Sequence, residues 1–546
     1  MKTINLADFS GTDDRARFAA ALEVLRKEPG STLIVPPGEY LITTELSREN
    51  QRQCMAGEWG FNPEPTMFSP DYKYDRGLDF AGHKGSTVIA PEGAKLLIDG
   101  FMEPISIRDC EGVTVTGFTV DYKRKPYTKA VLTYEGIETI NINGNDIEAV
   151  VYDGYCADEI NPNMPRPRNC FYINAARRFE ARQAVFDLKY VDSHNIKIYA
   201  SHGIEGIADD AEREYYMWHT FHSRPVVLIE RAKDTIITDI TIHASNGMGV
   251  TAMHAENIVI ERLKVVPAAG EHMSTNTDAT HFASCRGLLR LDSCEFDGQG
   301  DDSLNVHTYY YTPVKTGDRR MILKVEAPTG THTQSIDRPE VGDRLEIVEF
   351  NSLLPVKTMR TLSVTVDEEN RWCEVEVDED LPDSFEGYLI CDPDAVPDVE
   401  FVNCHANNHY ARSILIKSRT ALIENCTVTD VFDVAVKVAA EPWWKEGINM
   451  DCVVIKNCRF VNNGRLNKQC GGISITMDTD APDTFPQGKA VITGNIVDAP
   501  FSKFAVEVRR TREAVILGNQ FSSKDDCPVW IESPETKLTI DTEYIQ

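Results

Sequence analysis

One phrase recurs along this chain and limits what it can fold into: a short apolar strand, a polar pair, then a second short alternating strand. It reads VTVTGFTV at 113–120, TIITDITI at 235–242, NIVIERLKV at 257–265 and LLRLDSCEF at 288–296. It returns as VEFVNCHA at 399–406, ALIENCTV at 421–428, CVVIKNCRF at 452–460, AVITGNIV at 490–497 and AVILGNQF at 514–521. Aligned on one column, these phrases put Phe118, Ile240, Leu263, Cys294, Cys404, Cys426, Cys458, Asn495 and Asn519 in the same phase, with steps of 23 and 22 residues where nothing intervenes. A repeat of that length buries its apolar face only by stacking on its neighbours, so the expected fold is all-β, a right-handed parallel β-helix. Cysteine in such a column acts as a small apolar side chain inside the solenoid. A linear ladder does not converge thiolates tetrahedrally, so no metal is expected there. Asn495 and Asn519 continue the column as an amide ladder at a turn.

The first 43 residues read as a lid for one end of the stack. Thr12 is a fair N-cap for a helix over Asp13 to Arg26, with Phe18, Ala21, Leu22 and Leu25 at helical spacing. Strands at 31–35 and 39–43 flank the turn Pro36-Pro37-Gly38. A capping helix followed by V-P-x-G-x-Y resembles the N-terminal cap of pectate-lyase-like proteins, and covers strand edges that would otherwise stay unpaired.

Two gaps in the ladder, Phe118 to Ile240 and Cys294 to Cys404, are too long for single coils. The second holds alternating runs at Tyr309 to Thr312, Met321 to Val325, Leu345 to Val348 and Trp372 to Val377, the pattern of an antiparallel barrel. The first offers strands at Ala130 to Thr133, Ala184 to Val191 and Val226 to Ile229, and also reads as a β-rich, barrel-like insertion. The chain then divides into cap and first coils at 1–122, an insertion at 123–230, coils with a carboxylate cluster at 231–307, a barrel insertion at 308–398 and final coils at 399–546.

Charge excludes some partners. Lys plus Arg is 56 and Asp plus Glu is 85, a net charge of 56 − 85 = −29, which disfavours nucleic acid. No apolar run reaches 18 residues, so no membrane span is expected. The N-terminal stretch shows no apolar signal core and the 14 cysteines are scattered without a CxxC pair; both point to a cytoplasmic protein with free thiols. No phosphate loop or HExxH helix appears, and no cofactor is implied.

The chemistry lies in NTDATHFASCRGLLRLDSCEFDGQGDDSLNVH, from Asn276 to His307. Asp278 and Asp301 are separated by 301 − 278 = 23 residues, one coil, so they should sit on adjacent rungs about 4.8 Å apart with Asp302 beside them. Adjacent strand residues face opposite ways, so Asp301 and Asp302 both reach a cleft only if the chain bends, as Gly298 and Gly300 allow. Crowded carboxyls of unequal environment suit glycoside hydrolysis, one acid protonating the leaving oxygen while another activates water. Asn276, His281, Asn305 and His307 flank the acids, His409, Arg412 and Lys417 follow on the next coil, and Trp443, Trp444 and Glu446 lie in EPWWKEG, a stretch too long for a plain turn. These are the candidate substrate contacts.

At these residues, NTD followed one coil later by GDD resembles the polygalacturonases of glycoside hydrolase family 28. It is more similar to family 110, the exo-acting α-1,3-galactosidases, whose β-helix also carries β-barrel insertions. NTDA and DDS stand where polygalacturonases have NTDG and DDC, no GHG follows, and RSILIK replaces RIK. The resemblance implies an inverting exo-glycosidase acting on an oligosaccharide with terminal α-galactose, with Asp301 as acid and Asp278 with Asp302 as the base pair. Inversion asks for about 6.5 to 9.5 Å between acid and base. A polygalacturonase-like or other β-helix glycosidase, a polysaccharide lyase and a non-enzymatic glycan-binding fibre share the fold and stay open, as does a homodimer.

Overall fold

The computed structural model describes residues 2–540 except 57, 60–62, 70, 134–146, 152–169, 174–178, 184–185, 193–194, 201–213, 221, 327–335, 478, 480 and 482. Its body is a parallel β-helix. One ladder of strands runs without a break from Thr3–Asn5 through Thr114–Tyr122, Lys233–Thr238, Glu256–Glu261, Arg286–Asp292, Asp398–Val402 and Thr420–Glu424 to Glu535–Ile540, every neighbour parallel. A second ladder, which carries the site, includes Glu103–Arg108, Val227–Glu230, Val250–Met253, Thr280–Ala283, Leu304–Lys315, Ile414–Ile416 and Val436–Val438. Val227–Glu230 therefore belongs to the solenoid and not to the insertion before it.

The repeating phrase has a local cause. The residue before each column position has positive φ: Asp239 (54°), Arg262 (52°), Ser293 (57°), Asn403 (56°), Asn425 (54°) and Asn457 (56°), then Gly494 (67°) and Gly518 (63°). The left-handed turn swings the next side chain inward, which is why the polar pair favours Asn, Asp, Ser and Gly. All nine column residues are buried. The four column cysteines are free, and the Cys294 and Cys426 N–H groups each point at the next sulfur, on Cys404 and Cys458, at 3.4 Å. At the C-terminal end, Asn495 accepts from Cys458 N–H at 2.9 Å and its own N–H donates to Asn519 Oδ1 at 2.8 Å.

The cap helix spans Asp14–Lys27 and buries Phe18, Ala21, Leu22 and Leu25, but its N-cap is Asp13, whose side chain accepts from Ala16 N–H; Thr12 lies one residue outside and bonds to Asp13. A second helix, Glu45–Met55, was not expected, although Thr44 and Ser47 form a reciprocal capping box.

The later insertion closes on itself. Leu304–Lys315, Arg320–Lys324, Trp372–Val377, Pro355–Asp367, Arg344–Glu349 and Tyr388–Cys391 pair antiparallel in that order, and the last returns to the first, a six-stranded barrel. Leu304–Lys315 starts as a solenoid rung and ends as a barrel stave, so the barrel is rooted in the rung that carries Asn305 and His307. The half-buried His254 and the buried Asp337, 2.8 Å apart, tie barrel to solenoid, and Tyr311 donates to the same carboxylate. The earlier insertion forms an antiparallel sheet of seven strands, ordered Phe179–Gln183, Cys170–Ile173, Glu214–Trp218, Tyr127–Thr133, Ile147–Val151, Asn195–Ala200, Phe186–Asp192. The strand expected from Ala184 begins, in the described residues, at Phe186, since 184–185 lie outside them. Tyr127, Tyr216 and Trp218 pack on Met273, next to the carboxylate-bearing turns.

Candidate active site

Strand register sets the acids. Thr280 pairs with Leu304 and Leu304 with Ile414, so Asp278, Asp302 and Arg412, each two residues before its rung, are stacked neighbours. The offset between the first two rungs is 24 residues, not 23, because the Gly298 to Gly300 turn absorbs one more; Asp278 faces Asp302, and Asp301 sits one position earlier. The bend expected there exists: Gly298 has φ 72°, and Asp278, Asp301 and Asp302 each bring a carboxylate oxygen to within 4.8 Å of the others. Asp302 is 1% exposed and is gripped by Arg412 through the backbone N–H (3.0 Å), Nε (3.1 Å) and Nη2 (3.0 Å). Burial pushes the Asp302 pKa up, Arg412 opposes this, and Asp301 and Asp278 add to it. The guanidinium engages both oxygens and holds the Asp302 carboxyl in one orientation.

From Asp302 the contacts run in a closed circuit. Arg412 Nη1 meets Glu441 Oε1 at 3.1 Å; Lys417, fully buried, meets Glu441 Oε2 at 3.0 Å, Asn305 Oδ1 at 3.2 Å and Glu446. Glu446 Oε1 lies 3.8 Å from His307 Nε2, His307 Nε2 is 2.8 Å from His281 Nε2, and His281 Nδ1 is 2.6 Å from Asp278 Oδ2. Asp278 Oδ1 then accepts the Asp302 N–H at 3.2 Å. Lys437 also reaches Glu441, at 2.8 Å. Burial raises the pKa of Glu441 and of Glu446, but neighbouring charge wins: Lys417, Arg412 and Lys437 hold Glu441 well below the usual range, and Lys417 above all brings Glu446 to about 2. Five carboxyls, Asp278, Asp301, Asp302, Glu441 and Glu446, face three fixed cations, Arg412, Lys417 and Lys437, and 3 − 5 leaves two negative charges when all are ionised.

Beneath the acids lies a buried frame. Gln299 Nε2 donates to Ser303 Oγ at 2.6 Å, and Ser303 Oγ meets His409 Nε2 at 3.0 Å and Ser413 Oγ at 3.1 Å. His409 is fully buried with Nδ1 2.7 Å from Tyr410 O, and burial pulls its pKa down to about 4. Sequence reasoning put His409, Asn276, His307 and Lys417 among the substrate contacts; the structure buries all four completely, Asn276 donating to Thr220 O at 2.8 Å. Glu441, Gln299, Ser303 and Ser413 were missed. Only the Glu441/Glu446 spacing gave a signal, as the two ends of one turn.

EPWWKEG is a plain turn after all. Glu441 and Glu446 bridge across Pro442 to Lys445, and Glu446–Gly447 pairs antiparallel with Tyr309 and Thr308, strapping the turn to the barrel root. Trp443 and Trp444 stay 64% and 43% exposed, Trp443 edge-on to Phe350 of the barrel at 5.2 Å. His281, His307 and Glu446 converge closely enough to suggest a cation site. Two nitrogens on one tetrahedral zinc lie about 3.3 Å apart, wider than 2.8 Å, and Glu446 is already held by Lys417, so the set fits a metal poorly.

No family model matches the chain. It is 22% identical over 560 residues to alpha-1,3-galactosidase B of Bacteroides thetaiotaomicron, covering 96% of this chain and 85% of that one. It is 25% identical over 407 residues to alpha-1,3-galactosidase A of Bacteroides fragilis, covering 68% and 63%. Among solved structures, an exopolygalacturonase from Thermotoga maritima aligns over 97% of this chain and 91% of its own at 12% identity, with a TM-score of 0.32.

Proposed function

We propose that this chain is an exo-acting α-galactosidase that removes a terminal α-linked galactose from an oligosaccharide with inversion. The sequence likeness to α-1,3-galactosidases supports the substrate class. The observation that carries the chemistry is the division of labour among three clustered carboxyls. Asp302 is fixed by Arg412 and Asp278 by His281, while Asp301, half-buried, is the least buried of the three. Asp301 is the acid for the glycosidic oxygen. A water hydrogen-bonded to two carboxylates at about 2.75 Å each spans roughly 4.5 Å between their oxygens. All three carboxyls lie within 4.8 Å of one another, and Asp278 and Asp302, the two held by cationic or ring donors, form the base pair.

The nearest-oxygen distances fall short of the 6.5 to 9.5 Å expected between acid and base. Inversion therefore rests on two tied carboxylates better placed to hold water than to attack carbon. Two ionised carboxylates beside the anomeric carbon, Asp278 and Asp302, suit an oxocarbenium-like transition state. An exo mode is supported by walls on several sides: the barrel root, the strapped turn with its tryptophans, and Trp218 of the first insertion.

Asp301→Asn should lose at least about 10²-fold in kcat on α-galactosyl disaccharides but much less on a nitrophenyl α-galactoside, whose leaving group needs little protonation. Asp278→Asn and Asp302→Asn should fail on both. Proton NMR of the first product decides the stereochemistry: β-galactose is expected, and α-galactose appearing first would exclude inversion. Formation of an unsaturated, ultraviolet-absorbing product would indicate a lyase instead.

A further inference from the structure

The contact between two imidazole nitrogens asks for an explanation. Bare ring nitrogens 2.8 Å apart would set lone pair against lone pair, so a hydrogen lies between His281 Nε2 and His307 Nε2. Proton counting places it. His307 is fully buried, and its Nδ1 is 3.0 Å from the Thr308 carbonyl oxygen, which only accepts, so Nδ1 carries a hydrogen. Burial, opposed by Glu446, pulls the His307 pKa down to about 4, leaving the ring neutral near pH 7 and Nε2 bare. The bridging hydrogen therefore sits on His281 Nε2. On the other edge of His281, Nδ1 and Asp278 Oδ2 are 2.6 Å apart, and that contact needs a hydrogen of its own. His281 and Asp278 together thus hold one proton more than a carboxylate and a neutral imidazole.

We propose that His281 is the positioning residue of the water-activating carboxylate, doubly protonated so that it holds Asp278 ionised and in one orientation. The proposal rests on the base role assigned to Asp278 above. The groups around the pair favour the imidazolium over a protonated Asp278. Asp302 and Asp301 face it from the next rung and Glu446 from the strapped turn, while Lys417 and Arg412 are already matched by Glu441, Glu446 and Asp302. Asp278 Oδ1 accepts the Asp302 N–H, so donors anchor both oxygens of Asp278, an arrangement that suits the charged form. The carboxylate cannot swing away from the water it shares with Asp302.

The test uses the full chain, free of substrate, with histidine rings labelled in 15N. His281 should show two protonated nitrogens and His307 one, with coupling across the shared Nε2 hydrogen bond, and Asp278→Asn should remove one His281 proton. In kinetics, His281→Leu should lower kcat about 10²-fold with little change in KM. His281→Asn, whose amide nitrogen can stand where Nδ1 stands, should recover part of that loss. A singly protonated His281 in the wild type, a stoichiometric metal whose chelation abolishes activity, or a His281→Leu defect confined to KM would each overturn the proposal. The NMR pattern in a protein without α-galactoside turnover would support the proton assignment and remove only the functional reading.

Discussion

At Gly300 a single added methyl group would stand 2.2 Å from the Asn276 carbonyl oxygen and 2.4 Å from the Trp218 ring. Neither neighbour can withdraw: one is backbone and the other is packed on Met273. Gly300→Ala should shift the turn bearing Asp301 and Asp302 by a fraction of an ångström or more, and displacement on the 1 Å scale costs about 10²-fold. Steady-state kinetics should show that loss alongside a lower Tm. His409 gives a prediction of opposite character, visible in stability before catalysis. Its folded pKa of about 4 lies below the unfolded value near 6.5, so its contribution is complete above pH 6.5 and is lost as pH falls from there towards 4. The span corresponds to about 3 kcal/mol. Tm measured from pH 7 to 4 should fall in that window, and fall less steeply in His409→Gln, which starts lower because Ser303 loses one of its three partners.

At the scale of elements, the strapped turn is the part most exposed to a substrate. Trp443→Ala should raise KM for a galactosyl oligosaccharide several-fold while leaving Tm within a degree or two, because the ring is 64% exposed and rests edge-on against Phe350. A drop of many degrees with KM unchanged would mark the tryptophan as a seal. This element also shows what the sequence made legible. The inward column could be read because each coil repeats one left-handed residue followed by one buried residue, a pattern local to a few positions. The acids could be read because a solenoid turns sequence spacing into stacking. Glu441 could not: its partners Arg412 and Lys417 lie 29 and 24 residues away, on another rung, and nothing local distinguishes a buried, triply paired glutamate from a solvated one. His409 and Asn276 misled for the same reason, since a polar side chain under a turn and one facing a cleft are written alike. The helix Glu45–Met55 escaped because its apolar residues are few, though the Thr44 and Ser47 box was there to be seen.

For the whole molecule, the ladder replaces covalent staples. Twelve described cysteines are free and ten of them buried, so reductant should leave Tm unchanged and thiol reagents should label Cys527 well before the column. The column also continues across the barrel: Leu289 pairs with Val399, 110 residues on, and Cys294 meets Cys404 as Cys426 meets Cys458. The neighbouring coils do not register that a barrel has been inserted. The gap behaves as a port whose two ends lie one rung apart, and it accepts a cassette of any length that leaves and returns at those points. Since the port opens beside the acids, what such a protein can admit is set by what is plugged in there, and diversification of substrate can proceed without touching the residues proposed to break the bond.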